Sequence, residues 1–554
     1  MQIRKLSPSL SLALLLLSTC KNTEAPSEGT DPPPPPSPSQ FVSVLTQHND
    51  NDRSGWNDNE TALTTSNVNP SKFGMLFALN VDNQTYAQPL VVGHISINGA
   101  YRNLVIVATV NNTVYAFDGD NGTLYWQKNF TAPGMRPPQR WDMTGACSGG
   151  YSDFSGNIGI VGTPVIDAST GRIYFVARST DGTRYVQHLH AVSTIDGGEA
   201  SGSPMQITAS YNGNGDGAVN GVITFDAQRQ NQRQGLSLLG GTVYVSFSSH
   251  CDWGPYHGWI LGYDAATLQQ KIVYNDTPNG AAGGMWESGA GMAADGAGNL
   301  YVVTGNGTVG VPGDETNLTN RGSSALKLTP TSSSLRVSSY FTPFNYQFLN
   351  DNDLDYGGMG ALLIPGSTLY LTGGKDGSLY LLNRDAMGGF HASSNNVQQV
   401  VPLGGNDVNM HCQAAYYKGS SREYVYVWSE NDPLRAIPFD RASNLLTWQT
   451  EIISTVQGPI GQSGAILSVS SNGSQAGTGI LWASYAATGD AEHEVRPGIL
   501  RAFDANDVGK ELWNNQQNSA DASGGYAKFS APTIANGHVY LPTFSNRVVV
   551  YGLK

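Results

Sequence analysis

The sequence predicts an all-β protein, an eight-bladed β-propeller built from four-stranded antiparallel blades. Two observations carry that expectation. The first is composition: 66 Gly and 26 Tyr among 554 residues, with only 13% of the chain charged. Helical apolar periodicity is scarce along the chain, a profile of strands joined by many tight turns. The second is an internal repeat, in which an apolar strand, a turn, a strand ending in small residues and a strand closing on an aliphatic-aromatic-Asp turn recur.

Taken in order, the repeat runs through residues 103–109 with 114–118, 162–167 with 173–177, 242–246 with 260–264, and 300–304 with 325–328. It continues through 368–372 with 379–383, 424–427 with 434–438, 479–483 with 500–504, and 538–542 with 548–552. Units of roughly 50–60 residues have blade-like length, and each exposes both faces of a small sheet until neighbours cover them, so a ring is expected. The early strand around Phe77-Ala-Leu-Asn80 is the candidate to complete the last blade and close that ring. Trp126 and Trp513, which follow Asp-turns, are expected to pack between blades.

Residues 1–20 read as an export signal. Arg4 and Lys5 precede an apolar run, Leu10 to Leu17, too short to span a bilayer. The run ends in Leu17-Ser-Thr-Cys20, which resembles a bacterial lipoprotein box with Cys20 as the lipidated residue; plain signal cleavage is the alternative. Residues 21–40 are polar and include Pro32 to Pro36, an extended linker. That leaves residues 41–554 as one propeller domain, exported to the periplasm or cell surface. A formal net charge of −13 argues against nucleic acid or an anionic membrane surface as partner, leaving a lipid on Cys20 as the membrane link. Three cysteines follow Cys20, namely Cys147, Cys251 and Cys412, so oxidation of one pair leaves a thiol over. No Cys-x-x-Cys-His is present, so covalently attached c-type haem is not expected.

Chemistry concentrates between Gly283 and Asp314. Gly284-Met-Trp286, Thr304-Gly-Asn306 and Pro312-Gly-Asp314 place a large aromatic, an amide and a carboxylate on the connections of one blade unit. A cavity holding a flat polyanionic redox cofactor over a cation needs a ring to stack on, a neutral oxygen ligand and a charged base. Trp and Gly-Asn turns also punctuate ordinary blades, which is the structural alternative.

With these motifs, the chain resembles the quinoprotein alcohol dehydrogenases, eight-bladed propellers that use pyrroloquinoline quinone (PQQ) and calcium. It is similar above all to secreted bacterial PQQ-binding-like propeller repeat proteins. The likeness spans nearly the whole chain from Phe41. It implies Trp286 beneath the quinone, Asn306 as an amide ligand of calcium, Asp314 as catalytic base, and Lys375 in Gly374-Lys-Asp-Gly beside the quinone oxygens. Asp252, in Ser249-His-Cys-Asp-Trp, takes the place of the acidic calcium ligand, so that Asp252, Asn306 and Asp314 form the metal set with hard oxygen donors. Where the family has a vicinal disulfide over the quinone this chain has the single Cys147, whose partner is Cys251 or Cys412 if it pairs at all. The implied reaction is oxidation of an alcohol or sugar hydroxyl, with electrons leaving to a separate acceptor.

Two other functions fit the residues. A non-catalytic binding propeller on the envelope surface would use the funnel for a protein or glycan. A polysaccharide hydrolase or lyase would use His250, Tyr256 and His257, with Trp253 and Trp259 stacking on sugars; the plainer expectation is that these histidines only hydrogen-bond inside the fold. His188 and His190 share a strand face without a third ligand. Asp351-Asn-Asp-Leu-Asp355 lacks the Gly and distal Glu of an EF-hand and reads as a solvated acidic turn.

Overall fold

The computed structural model describes residues 41–97 and 99–554. The export segment, the proline linker and Cys20 lie outside the described residues. Eight antiparallel sheets of mainly four strands follow one another along the chain. Numbered in order, blade 1 covers residues 90–129, blade 2 165–206, blade 3 237–275 and blade 4 293–341. Blade 5 covers 362–402, blade 6 415–453, blade 7 466–514 and blade 8 533–553. The repeated segments are the second and third strands of each blade, except in blade 2, where they are the first and second. A two-stranded hairpin, Ser210–Asn212 with Val222–Thr224, is inserted between blades 2 and 3.

What makes these sheets a ring is where their apolar faces go. Each of eight apolar clusters is shared by two adjacent blades, from blades 1 and 2 around to blades 8 and 1. Alternation leaves each sheet with two apolar faces, and only a neighbour on either side buries both. Trp513 is fully buried between blades 7 and 8, where Phe73 meets it edge-on at 5.0 Å. Trp126 packs at the edge of the cluster between blades 1 and 2. The ring closes as the sequence predicts. Phe73–Asn80 is the outer strand of blade 8, antiparallel to Arg547–Leu553 with Phe77 opposite Val550.

A second closure has no sequence signature. Residues 42–57 lace across the inner strands and touch every blade. Val44 pairs with Val91 of blade 1, and the Leu45 carbonyl accepts from Ile166 of blade 2. The carbonyls of Asn51, Asp52, Ser54 and Gly55 accept N–H bonds from Ala294, Leu363, Tyr416 and Val469, in blades 4 to 7. Asn57 donates to the Ile534 carbonyl of blade 8, and Trp56–Asn57 adds a parallel strand to blade 7. Arg53 covers blade 3: its Nη2 donates to Ser237 Oγ at 2.6 Å and to the Met292 carbonyl at 2.9 Å. The innermost strands otherwise present unpaired backbone groups to the ring axis, and this segment satisfies them.

Candidate functional site

The connections between consecutive blades, together with the loops joining second and third strands, line a funnel of about 290 Å³. Trp286 lies on the connection from blade 3 to blade 4 and lines that funnel. Its loop is held from behind. Asp276 accepts N–H bonds from Gly258 and Gly284, and the Gly283 N–H reaches the Asn306 carbonyl at 2.8 Å. Two glycines are dictated here. A Cβ on Gly283 would lie 2.2 Å from Asp276 Oδ2, and one on Gly305 would lie 2.5 Å from the indole Cδ1. Tyr256 meets the indole edge-on at 6.4 Å and donates its hydroxyl to Asp252 at 2.5 Å. Next in sequence, Glu287 is fully buried; burial pushes its carboxyl up to about 8, although it accepts the Val303 N–H.

Cys147, on the connection from blade 1 to blade 2, is disulfide-bonded to Cys251 on the second-to-third-strand loop of blade 3. Both cysteines line the funnel with Trp286. Cys412 is the thiol left over, buried and pushed up to about 12 by burial, so it is inert.

Lys375 enters from the matching loop of blade 5, and the acidic turn 351–355 meets it. Its Nζ lies 2.7 Å from Asp355 Oδ2 and 3.2 Å from Asp353 Oδ2. Burial alone lowers the ammonium, but Asp355 and Asp353 more than offset it and the net shift is upward. Asp355 also accepts the Asn306 N–H at 2.9 Å, while Asn306 Nδ2 donates to Asp353 at 3.1 Å. Asp351 to Asp353 are exposed, as expected of a solvated turn, but Asp353 and Asp355 also line the funnel, which that expectation left out. The cause is tertiary: the connection before blade 5 and the Lys375 loop emerge at the same end of the ring.

Asp252 opens to the same funnel. Surrounding protein, and then repulsion from Asp355, push its carboxyl up to about 6, with Asp353 adding to the push and Tyr256 and Lys375 opposing it. Asn306 Oδ1 and Trp286 Nε1 are buried without a hydrogen-bond partner. Asn306 lines an adjoining pocket that shares Asp252 and Asp353 with the funnel, and carboxylates with an orphaned amide oxygen are donor types that a hard cation takes. A raised carboxyl is protonated below about pH 6, so cation affinity is expected to rise between pH 5 and 7 and level off above. The same group removes stability from the metal-free protein as pH climbs from its ordinary 3.8 through about 6, and a cation should restore it. Calcium-induced thermal shifts at pH 5 and pH 7 check this; equal shifts would count against Asp252 as a ligand.

Asp314 is not brought to the funnel. It sits at the exposed tip of the long loop 304–324 of blade 4, where the Val311–Asp314 bridge turns the chain outward. Its carboxylate bonds Thr316 in its own turn, which holds it below the usual carboxylate value. The Gly-Asp spacing gives no hint that eight residues beyond Asn306 the loop has left the axis. The histidines offered for hydrolysis are structural. His250 accepts from Arg178 at 2.8 Å, so its other nitrogen donates to the Tyr151 hydroxyl, and burial keeps the ring neutral. His257 bonds Thr277 and the Asp216 carbonyl. Trp259 is fully buried between blades 2 and 3 and can stack on no sugar.

Backbone strain marks the funnel independently. Among the described residues, consecutive non-glycine residues with left-handed φ occur at four places, and three are funnel segments: Cys147–Ser148, Cys251–Asp252 and Glu287–Ser288. Asp353 has φ of 53° as well. Such conformations cost on the order of 1–3 kcal/mol each and persist where surrounding structure enforces them.

No protein-family model matches the sequence, and no curated protein matches it. Solved structures do. A europium-containing methanol dehydrogenase aligns with a TM-score of 0.60 at 12% identity, over 92% of this chain and 98% of that one. The quinohemoprotein alcohol dehydrogenase of Comamonas testosteroni aligns with a TM-score of 0.57 at 15% identity, over 92% of this chain and 80% of that one. An alcohol dehydrogenase of the same kind from Pseudomonas putida HK5 gives 0.57 at 13%, with the same coverage. At these identities the likeness is one of fold.

Proposed function

We propose that this chain is a quinone- and metal-dependent dehydrogenase of an alcohol or sugar hydroxyl. One observation carries the reading: a disulfide, an indole, three carboxylates and a lysine converge on one funnel, with left-handed backbone at Cys147, Cys251, Asp252 and Asp353 among them. The fold shared with a methanol dehydrogenase and two alcohol dehydrogenases supports it. When bound, PQQ would supply the two-electron acceptor, and calcium, or a lanthanide as in the europium-containing relative, the charge that polarises it.

The chain's own residues divide the rest of the work. Asp252, Asn306 Oδ1 and Asp355 are the donors to the metal, since Asp355 is the chief charge acting on Asp252 and Asn306 Oδ1 has no other partner. Trp286 offers the stacking face, with the Cys147–Cys251 bridge lining the same space. Asp353 is the more exposed of the Lys375-bound pair and takes the role first assigned to Asp314, removing the proton from the substrate hydroxyl. Lys375 pairs with that carboxylate and places a fixed positive charge beside the reacting oxygens.

Titrating the metal-stripped protein with PQQ and calcium or europium tests this. Cofactor and cation together should stabilise the fold by about 2.7 kcal/mol at a hundredfold excess over Kd, with substrate-dependent dye reduction. A melting curve moved by neither component would sink the proposal.

A further inference from the structure

The funnel has a second pole that the dehydrogenase reading does not use. Arg233, on the approach to blade 3, and Lys528, on the approach to blade 8, both line it. Lys528 is 4% exposed, and among the described residues its ammonium bonds only the backbone carbonyl of Glu492. The Arg233 guanidinium lies 4.2 Å over the Phe529 ring and makes no ion pair among the described residues. The carboxylates nearest to hand are turned elsewhere: Asp153 pairs with His493 Nδ1 at 3.2 Å, and Glu492 faces the other nitrogen of that ring at 3.8 Å. Tyr86, Tyr151 and Phe154 wall the same region, with Tyr86 and Phe154 at 4.9 Å between centroids.

Holding a buried ammonium and a half-buried guanidinium with no carboxylate in contact among the described residues is costly, and a protein of net charge −13 has no shortage of carboxylates to supply one. Burial pulls Lys528 down to about 8 and lowers Arg233 too, and the Asp153 carboxylate, which acts on both, offsets that burial only in part. An aromatic wall beside a forked guanidinium and an ammonium has the chemistry to take a ring-bearing organic carboxylate.

We infer that Arg233 and Lys528 form a carboxylate-binding pole of the funnel, so that it receives an organic acid rather than a neutral molecule alone. The carboxylate belongs either to the substrate, as in a sugar acid, or to the quinone. The assignment depends on the dehydrogenase reading only in the second case, and the experiment separates them.

Calorimetric titrations of the metal-stripped, unloaded protein would use D-glucuronate, D-glucose and PQQ as probes. Arg233→Gln and Lys528→Gln should each weaken binding of an acidic probe by at least about tenfold, a charge-assisted hydrogen bond being lost, and leave any glucose binding unmoved. Arg233→Lys and circular dichroism guard against misfolding. Loss confined to glucuronate assigns the pole to substrate, whether or not PQQ binds; loss confined to PQQ assigns it to the cofactor. Unchanged affinity for both acids in both folded variants, or no binding of either acid to the wild type, would overturn the inference.

Discussion

Asp353→Asn in the PQQ- and metal-loaded protein is expected to lower kcat for dye-linked alcohol oxidation by about 10²–10⁴-fold, the range for loss of a positioned general base. Metal binding should survive, because Asp252, Asn306 and Asp355 remain. Asp314→Asn is the matched control and should oxidise like the wild type, since its carboxylate bonds Thr316 in an exposed turn far along the loop from Asn306. Steady-state rates with the loaded proteins decide between them. Full activity in the Asp353 variant, or a collapse confined to the Asp314 variant, would return the base to the residue that the resemblance first implied. The asparagine is close in shape and keeps the hydrogen bond from Asn306, so a folding defect is not the expected reason for lost rate.

Arg53→Ala is expected to destabilise the fold by about 3–5 kcal/mol, comparable to breaking a buried charged network. The guanidinium is 1% exposed and donates to the Met292 carbonyl, Ser237 Oγ, Thr46 Oγ1 and the Gln47 carbonyl. It fastens the N-terminal segment to blades 3 and 4, so its loss leaves buried acceptors unpaired as well as a cavity. Chemical denaturation measures the difference. A loss below about 1 kcal/mol, the net contribution of one ordinary hydrogen bond, would mean that the lacing is held by its backbone bonds alone.

The two sites show where reading a sequence succeeds and where it stops. The strand around Phe77–Asn80 was legible as the candidate to close the ring, and the structure extends it back to Phe73. Trp286 and Asn306 were legible because Gly-rich turns flanking them are local, and Trp286 does line the funnel. Asp353 and Asp355 were passed over: nothing in five residues of an acidic turn says that a lysine twenty positions on will fold against it. Arg233 and Lys528, separated by most of the ring, carry no motif at all.

By itself, then, the sequence determined the strands, their grouping into eight units and the closure of the ring, because alternation and turn chemistry act between near neighbours and force each unit to seek cover. It also determined that one cysteine would be left over. Only the tertiary structure decided which cysteines pair, that Asp314 points outward while Asp353 and Asp355 point in, and that an unremarkable N-terminal segment touches all eight blades. Those outcomes depend on which loops emerge at the same end of a closed ring. That is a property of how the blades are stacked, and no local pattern of residues encodes it.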